Sequence, residues 1–281
     1  MHIDSYRVDA FHKLASILKS TPEYNHSIAQ QSMSYLAVKN KAFVEAWLSN
    51  RMEGVHLCLD EAFSYANTKY DLQDNDKSDF LGTFRLILDD NDGMPKANFR
   101  SFENRLLTIH AKVFSRRTKK EPGRYKSRPN MAGEYVFVSP QAVRETLRIG
   151  YEIGVSLTSP FSRAIYLSFL ITEVHPFMDG NGRVSRLIMN DQLSSCGEAR
   201  IVIPQNLWGW YKLGLKELSC GNGGPERLAT TFQLSQIWAN AIRWDELRAC
   251  EDALDEARLS LTSDERLDSW FAKYIPLHTD T

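Results

Sequence analysis

The stretch V-H-P-F-M-D-G-N-G-R-V-S-R, residues 174–186, is the part of this sequence on which the interpretation of the rest depends. His175 can accept a proton near neutral pH. Asp179 is a hard oxygen ligand of the kind that Mg²⁺ prefers. Gly180 and Gly182 have no Cβ, so backbone N–H groups there can approach a ligand closely. A base, a carboxylate and a flexible backbone cradle therefore fall within one short stretch.

The same stretch predicts the start of a helix. Val184, Leu187 and Ile188 lie at helical apolar spacing, so the glycines precede a helix N-terminus, whose unpaired N–H groups and dipole attract anions. Arg183 and Arg186 are three apart and share a face of the first turn. The alternative is a glycine-rich turn between two helices with solvated arginines, which leaves the adjacent base and acid unexplained. The constellation favours a phosphate site with a base beside it.

The composition is that of an ordinary globular protein. With 43% hydrophobic and 25% charged residues, a chain of 281 residues can form a sizeable core with a smaller attachment. The formal net charge of −1 argues against a broad nucleic-acid-binding surface. The four cysteines have no metal-ligand spacing, so we expect free thiols in a reducing compartment. Since neither a signal peptide nor a run of about 20 apolar residues is evident, we expect a cytoplasmic protein with no membrane partner.

Apolar residues recur at helical spacing along most of the chain and predict a mainly α fold. The predicted helices cover residues 6–19, 26–52, 56–70, 80–88, 101–114, 141–157, 162–173, 183–196, 207–218, 226–247 and 250–274. A loop is predicted at 71–79 and a turn at 89–93, both rich in acidic residues. The single good strand signal is the β-prone run Tyr135–Val138, within an extended segment 124–140.

The run H-P-F-M-D-G-N-G-R-V-S-R resembles the signature of the Fic family, H-x-F-x-[DE]-G-N-G-R-x-x-R, with every specified position filled. The resemblance implies a Fic-type helical bundle with a small β-hairpin flap. It divides the chain into an N-terminal helical region at 1–95, a Fic catalytic core at 96–225 and a C-terminal helical extension at 226–281. Members of the family typically transfer AMP from ATP onto a Ser, Thr or Tyr hydroxyl of a protein, so the resemblance implies a protein adenylyltransferase.

The resemblance also implies a role for each motif residue. His175 would take the proton of the target hydroxyl, and Asp179 would hold Mg²⁺ as the cofactor. Arg183 would contact the β-phosphate and Arg186 the γ-phosphate of ATP. Phe177 is expected to pack inward and fix the loop. The implied nucleotide and phosphate ligands are Gly180, Asn181, Gly182, Arg183 and Arg186.

A second motif precedes the signature. Ser49 and Glu53 in S-N-R-M-E-G are four apart, so they share a helix face. Read alone, Glu53 is a surface acid before a helix-terminating glycine. The run also resembles the Fic inhibitory motif [ST]-x-x-x-E-[GN], which implies that Glu53 pairs with Arg186 and that the protein inhibits itself.

The sequence leaves several functions and partners open. Tyr135–Val138 is either a flap on which a target segment docks or a surface hairpin with only a packing role. The same residues suit AMP removal, transfer from CDP-choline, UTP or GTP, or a nucleotide-binding regulator without catalysis. Self-modification is expected, nucleic acid is not an expected partner, and a homo-oligomer is left open. His110, a lone helix histidine, is interpreted as structural.

Overall fold

A computed structural model describes residues 2–67, 74–89 and 98–258. Over these ranges the chain forms eleven α-helices and one two-stranded antiparallel sheet, which confirms the mainly α prediction. The helices are α1 Ser5–Ser20, α2 Tyr35–Met52, α3 Leu59–Ala66, α4 Asn75–Leu88, α5 Phe99–Val113, α6 Val143–Val155, α7 Pro160–Val174, α8 Asn181–Ser194, α9 Trp208–Cys220, α10 Glu226–Ala241 and α11 Leu247–Ala257. The strands are β1 Met131–Ala132 and β2 Tyr135–Val136.

Helices α7 and α8 form the centre of the bundle and pack along each other. The Ser159 side chain caps α7, and Pro160 occupies its first turn, where a missing N–H is tolerated. Nearly every residue of α7 is buried, as its all-round apolar sequence predicts. The hydroxyls of Ser168 and Ser185 lie 3.0 Å apart between the two helices. The packing of α7 against α8 therefore fixes the position of the short connection between them.

The N-terminal helices pack on this central pair. Helix α1 lies against α6 and α7, while α2 lies against α4 and α8. Helix α4 packs closely on α5, since a Cβ added at Gly82 would be 2.9 Å from the carbonyl oxygen of Lys112. The C-terminal end of α2 and the first turn of α8 are thereby brought together. None of the described helices is both long and apolar enough to cross a lipid bilayer.

The predicted helix 26–52 is wrong over its first third. Helix α2 begins only after Ser34, whose side chain accepts a hydrogen bond from the N–H of Ala37. In the preceding segment, Ala29 pairs with Glu198 in an isolated antiparallel bridge. A tertiary partner thus satisfies the backbone there, which local periodicity does not reveal.

The predictions for residues 56–79 are corrected at two places. Leu57 is buried outside any helix, and its carbonyl accepts a hydrogen bond from the indole of Trp47, so α3 starts at Leu59, three residues after the predicted start. The loop predicted at 71–79 is helical from Asn75 onward, because Asp74 caps α4 through two backbone N–H groups. Acidic residues at this helix start are favoured by the dipole and do not indicate a loop.

The C-terminal prediction is also corrected. Helix α10 ends at Ala241, and the indole of Trp244 donates to the Ala239 carbonyl in the turn before α11. The predicted helix 226–247 is therefore too long at its end. Parts of four predictions lie outside the described residues, at 68–70, 71–73, 90–93 and 259–274.

Candidate active site

The connection from α7 to α8 contains two left-handed residues. His175 ends α7 with φ of +52°, unusual for a residue with a side chain, and its N–H bonds to the Ile171 carbonyl. Gly180, with φ of +79°, precedes the first residue of α8. A Cβ at Gly180 would overlap the ring of Phe114, so this position requires glycine for both conformation and space. The helix predicted from residue 183 begins two residues earlier, at Asn181, so Gly180 precedes α8 and Gly182 lies in its first turn.

Asn181 holds the loop together through its side chain. Its Oδ1 accepts from the N–H of Phe177 at 2.9 Å, and its Nδ2 donates to the carbonyl of the same residue at 2.9 Å. The side chain is buried and bonded to Phe177, so the predicted contact of Asn181 with a phosphate is left to its backbone N–H and stays a prediction. The backbone N–H groups of Asn181 and Gly182 lie in the first turn of α8, where no intrahelical acceptor precedes them.

His110 of α5 packs against the connection between α7 and α8. Its Nε2 lies 3.1 Å from the Asp179 carbonyl, and its Nδ1 accepts from the Gly123 N–H at 2.9 Å. The ring stacks on Phe177 with centroids 3.8 Å apart. Phe177 is fully buried, as predicted, and His110 has the structural role that we expected. Burial lowers the pKa of His110 to about 4, so it is a neutral ring at physiological pH.

The environment of His175 keeps this ring neutral. Its Nδ1 lies 3.2 Å from the Thr172 carbonyl, which assigns the proton to Nδ1 and the lone pair to Nε2. The ring stacks on Phe137 with centroids 3.7 Å apart. Burial, together with the positive charge of Lys126, lowers the pKa of His175 to about 4. A bound anionic nucleotide would raise this pKa toward neutrality, which suits a general base.

Asp179 is ionised and partly exposed. Its Oδ1 accepts from the Gly180 N–H at 2.7 Å, and its Oδ2 lies 3.4 Å from the Lys120 ammonium. Burial opposes ionisation of this carboxyl, but Arg183 and these two donors outweigh burial and lower its pKa. The described residues contain no cluster of three or more metal-ligating side chains. A single carboxylate fits Mg²⁺ that arrives with a nucleotide, since Mg²⁺ is often held by one carboxylate plus substrate phosphates.

Glu53 pairs with Arg186, as the second motif predicts. The Glu53 Oε1 accepts from Nη2 of Arg186 at 2.7 Å, while the Ser49 hydroxyl accepts from Nε at 3.0 Å. Burial of the Glu53 carboxyl is outweighed by the Arg186 charge, which lowers its pKa. We expected Arg186 on an exposed turn, but its side chain is buried under α2. A Cβ at Gly182 would overlap the Glu53 carboxylate, so this carboxylate covers the first turn of α8.

Arg183 has partners that the sequence did not indicate. Its Nη1 donates to Asp79 Oδ2 at 2.9 Å and to Asn50 Oδ1 at 3.1 Å. Its guanidinium lies over the ring of Phe114, 4.4 Å from the centroid. Asp79 was assigned to a loop, yet it lies on the buried face of α4, four residues before Thr83. Extending the helical period of residues 80–88 backward would have placed Asp79 on that face.

The predicted flap is a short hairpin beside His175. Met131 pairs with Val136 in β1 and β2, and both side chains are exposed. The Phe137 N–H bonds to Asn130 on the opposite strand, so the N–H and carbonyl of Val136 face away from β1. Arg7 from α1 donates to that carbonyl at 2.7 Å. The hairpin is thus joined to both the motif loop and the N-terminal helix.

Residues 101–193, which include His175 and both motif arginines, match the model of the Fic/DOC family. This segment is a Fic domain. Two curated relatives carry the name protein adenylyltransferase. The chain is 28% identical over 125 residues to fic-1 of Caenorhabditis elegans, and 24% identical over 174 residues to Fic of Nematostella vectensis. These matches span 43% and 59% of this chain, but only 24% and 41% of the respective relatives.

Solved structures share the fold of this chain. A fragment of Fic-1 from C. elegans superposes with a TM-score of 0.56 at 16% identity, covering 89% of this chain and 73% of that one. A Fic domain containing signaling protein from Bacteroides thetaiotaomicron superposes with a TM-score of 0.53 at 19% identity, covering 91% of this chain and 99% of that one. At these identities the comparison shows the fold alone.

Proposed function

We propose that this chain is a protein adenylyltransferase that moves AMP from ATP onto a protein hydroxyl and is inhibited by Glu53. The observation that carries the proposal is the position of His175. This neutral base, with its lone pair on Nε2, ends α7 a few residues before the anion-binding start of α8. The names of the curated relatives support the same activity.

The proposed reaction uses the groups of the motif in turn. The target hydroxyl oxygen attacks the α-phosphorus of ATP, its proton passes to His175, and the bond to pyrophosphate breaks. Backbone N–H groups in the first turn of α8 would stabilise charge on the phosphate oxygens, and each such donor is worth roughly 3 kcal/mol in comparable sites. Mg²⁺ beside Asp179 would neutralise phosphate charge when bound.

Target docking is assigned to the outward edge of the flap. The Val136 N–H faces away from β1 and could donate to an extended target segment that pairs there as an added strand, while the Val136 carbonyl already accepts from Arg7. The same edge could accept a segment of a second copy, which would give self-modification. The cytoplasmic location and the oligomeric state remain predictions from the sequence.

Inhibition follows from competition for Arg186. A guanidinium cannot bind a carboxylate and a γ-phosphate bidentately at once, and Arg186 already serves Glu53 and Ser49. ATP would therefore bind with its α-phosphate out of line for attack, and a displacement on the order of 1 Å can cost about 10²-fold in rate. The Arg186 side chain is buried while that of Glu53 is 30% exposed, so removing Glu53 leaves a buried guanidinium charge without its carboxylate.

The test is AMP incorporation from labelled ATP, into the protein itself and into a lysate. We expect Glu53→Gly to raise incorporation strongly over wild type. Glu53→Asp should raise it less, and Glu53→Gly combined with His175→Ala should abolish the gain. Glu23→Gly, at an exposed acid after α1, is the matched control and should leave incorporation at the wild-type level.

The same samples separate the alternative activities. Mass spectrometry of the product identifies the transferred group. A group derived from CDP-choline, UTP or GTP would show that this nucleotide, and not ATP, is the donor. Loss of AMP from a modified protein on incubation with wild type would favour the reverse reaction. If Glu53→Gly adds no nucleotide-derived group to any protein, the proposed function is contradicted.

A further inference from the structure

A second carboxylate from the N-terminal helices binds an arginine of the signature. Asp79 of α4 is fully buried. Its Oδ2 accepts from Arg183 at 2.9 Å and from Nε of Arg117 at 2.6 Å. Charge-assisted bonds of this length are among the stronger hydrogen bonds in proteins. Asp79 therefore links the first turn of α8 to the end of α5 through a single carboxylate.

The remaining contacts of Arg183 restrict it further. Asn50 accepts from the same guanidinium nitrogen as Asp79, and Phe114 lies under the guanidinium plane. These partners belong to α2, α4 and the end of α5, and α4 packs against both of the other helices. A free arginine side chain loses much rotamer freedom when it binds a ligand. Arg183 has already lost that freedom before any nucleotide arrives.

The buried charges around Asp79 do not cancel. The guanidiniums of Arg183 and Arg117 share one buried carboxylate, that of Asp79, whereas the second acid on Arg117, Asp76, is half-exposed and screened by solvent. Arg183 also lowers the pKa of both Asp179 and Glu53, which places its charge within reach of the metal-binding and inhibitory carboxylates. An anion at the start of α8 would therefore meet an Arg183 guanidinium that is already positioned and whose positive charge is not fully neutralised by Asp79.

We propose that Asp79 is a positioning residue for nucleotide binding, which holds Arg183 oriented toward the β-phosphate. The inference rests on the proposed function and extends the site beyond the segment matched by the family model, since Asp79 lies outside residues 101–193. Asp79 itself touches no substrate. Its removal should weaken binding of nucleotides that have a β-phosphate and leave AMP binding unchanged.

The experiment is calorimetric titration of AMP, ADP and ATP with Mg²⁺, all in the Glu53→Gly background. We expect Asp79→Asn to weaken ADP and ATP binding on the order of tenfold, the loss of one well-placed charge-assisted bond, with AMP affinity unchanged. Asp79→Glu should recover part of the loss. Asp76→Asn is the matched control, because it removes an acid from Arg117 without touching Arg183, and it should change none of the affinities.

Each contrary result overturns the inference in a recognisable way. Equal weakening of AMP and ADP would mean a general structural effect. Tighter ADP binding by Asp79→Asn would mean that Asp79 withholds Arg183 from nucleotides. If the Glu53→Gly parent transfers AMP and Asp79→Asn leaves its ADP affinity unchanged, only the inference about Asp79 is contradicted. If the Glu53→Gly parent itself binds no ADP, the proposed function is contradicted as well.

A second variant covers the case in which Asp79→Asn does not fold, as thermal unfolding would reveal. Asn50→Ser removes the other side-chain acceptor of Arg183 and leaves the Asp79 pair in place. We expect a smaller weakening, about threefold, again for ADP and ATP but not for AMP. Equal affinities of Asn50→Ser and its parent for ADP would contradict the inference.

Discussion

Three features of the structure hold His175 in place. Its left-handed backbone ends α7, its Nδ1 is engaged by the Thr172 carbonyl, and its ring stacks on the flap residue Phe137. The base is thus held by its own helix on one side and by the flap on the other. The groups that we propose to bind phosphate lie elsewhere, on the first turn of α8.

This separation predicts that His175→Ala abolishes AMP transfer and spares ATP binding. General-base catalysis is typically worth about 10²–10⁴-fold, so we expect a loss of that order in the Glu53→Gly background. The measurements are AMP incorporation and ATP titration on the same preparation. His12→Ala, at an exposed position of α1, is the control and should retain activity. A parallel loss of ATP affinity and activity would refute the assigned role.

Asp179 carries a prediction of its own at this scale. The Asp179 carboxylate is partly exposed and lies directly before Gly180. Asp179→Ala should therefore suppress transfer and remove the Mg²⁺ dependence of ATP affinity. Excess chelator should suppress transfer in the parent as well. Binding of ATP with and without the divalent ion is the control measurement. Full activity in excess chelator would contradict a metal-assisted reaction.

At the scale of elements, the contact between α4 and α5 sets the position of Asp79. Gly82 allows the two helices to approach closely, since an added Cβ would meet Lys112 and Val113 backbone atoms at 2.9 to 3.1 Å. Backbone atoms inside a helix cannot move aside as a side chain can. The close approach therefore depends on the missing Cβ, and any larger residue must push α4 outward.

We accordingly expect Gly82→Ala to lower stability, by about 1–3 kcal/mol for overpacking of this kind. The measurement is the midpoint of thermal or chemical unfolding. Gly209→Ala in α9 is the matched control, because a Cβ there meets nothing within 4 Å, and alanine favours the helix. It should leave stability unchanged or raise it. Equal midpoints for Gly82→Ala and wild type would show that α4 is free to shift.

Across the whole molecule, stability should depend on pH through its buried histidines. Protonation of His110 would place a second hydrogen at Nδ1, against the Gly123 N–H that it now accepts. Burial lowers the folded pKa to about 4, whereas an unfolded histidine titrates near 6.5. Between these values the unfolded chain binds more protons at this residue, so the contribution of His110 to the free energy of unfolding is fully present above pH 6.5 and falls as the pH drops toward 4.

The corresponding measurement is chemical unfolding at several pH values from 7 to 4. We expect His110→Gln to be less stable at pH 7 but to lose less stability than wild type as the pH falls, because it lacks the titrating ring. His12→Gln, at an exposed histidine, should keep the wild-type pH dependence. If the free energy of unfolding of His110→Gln falls with pH as steeply as that of wild type, the inference that His110 is buried and neutral is contradicted.

The sequence by itself determined the helical class, the start of α8 and the identity of the motif residues. These are local properties, since helical period and glycine placement act over a few neighbouring residues. The pairing of Glu53 with Arg186 spans 133 positions, and it was predictable because both ends lie in recognisable motifs. Local pattern failed at residues 26–33 and 75–79, where a distant partner or a helix cap decides the backbone.

Only the tertiary structure decided how the side chains of the site are used. Nothing in the sequence indicated that the side-chain amide of Asn181 bonds to the backbone of Phe177 and closes the loop. Asp79 lies 104 positions from Arg183 and belongs to no motif, so no local pattern connects them. A buried guanidinium needs an acceptor wherever the fold supplies one. Which acid supplies it depends on how the helices pack, and that packing is a property of the whole chain.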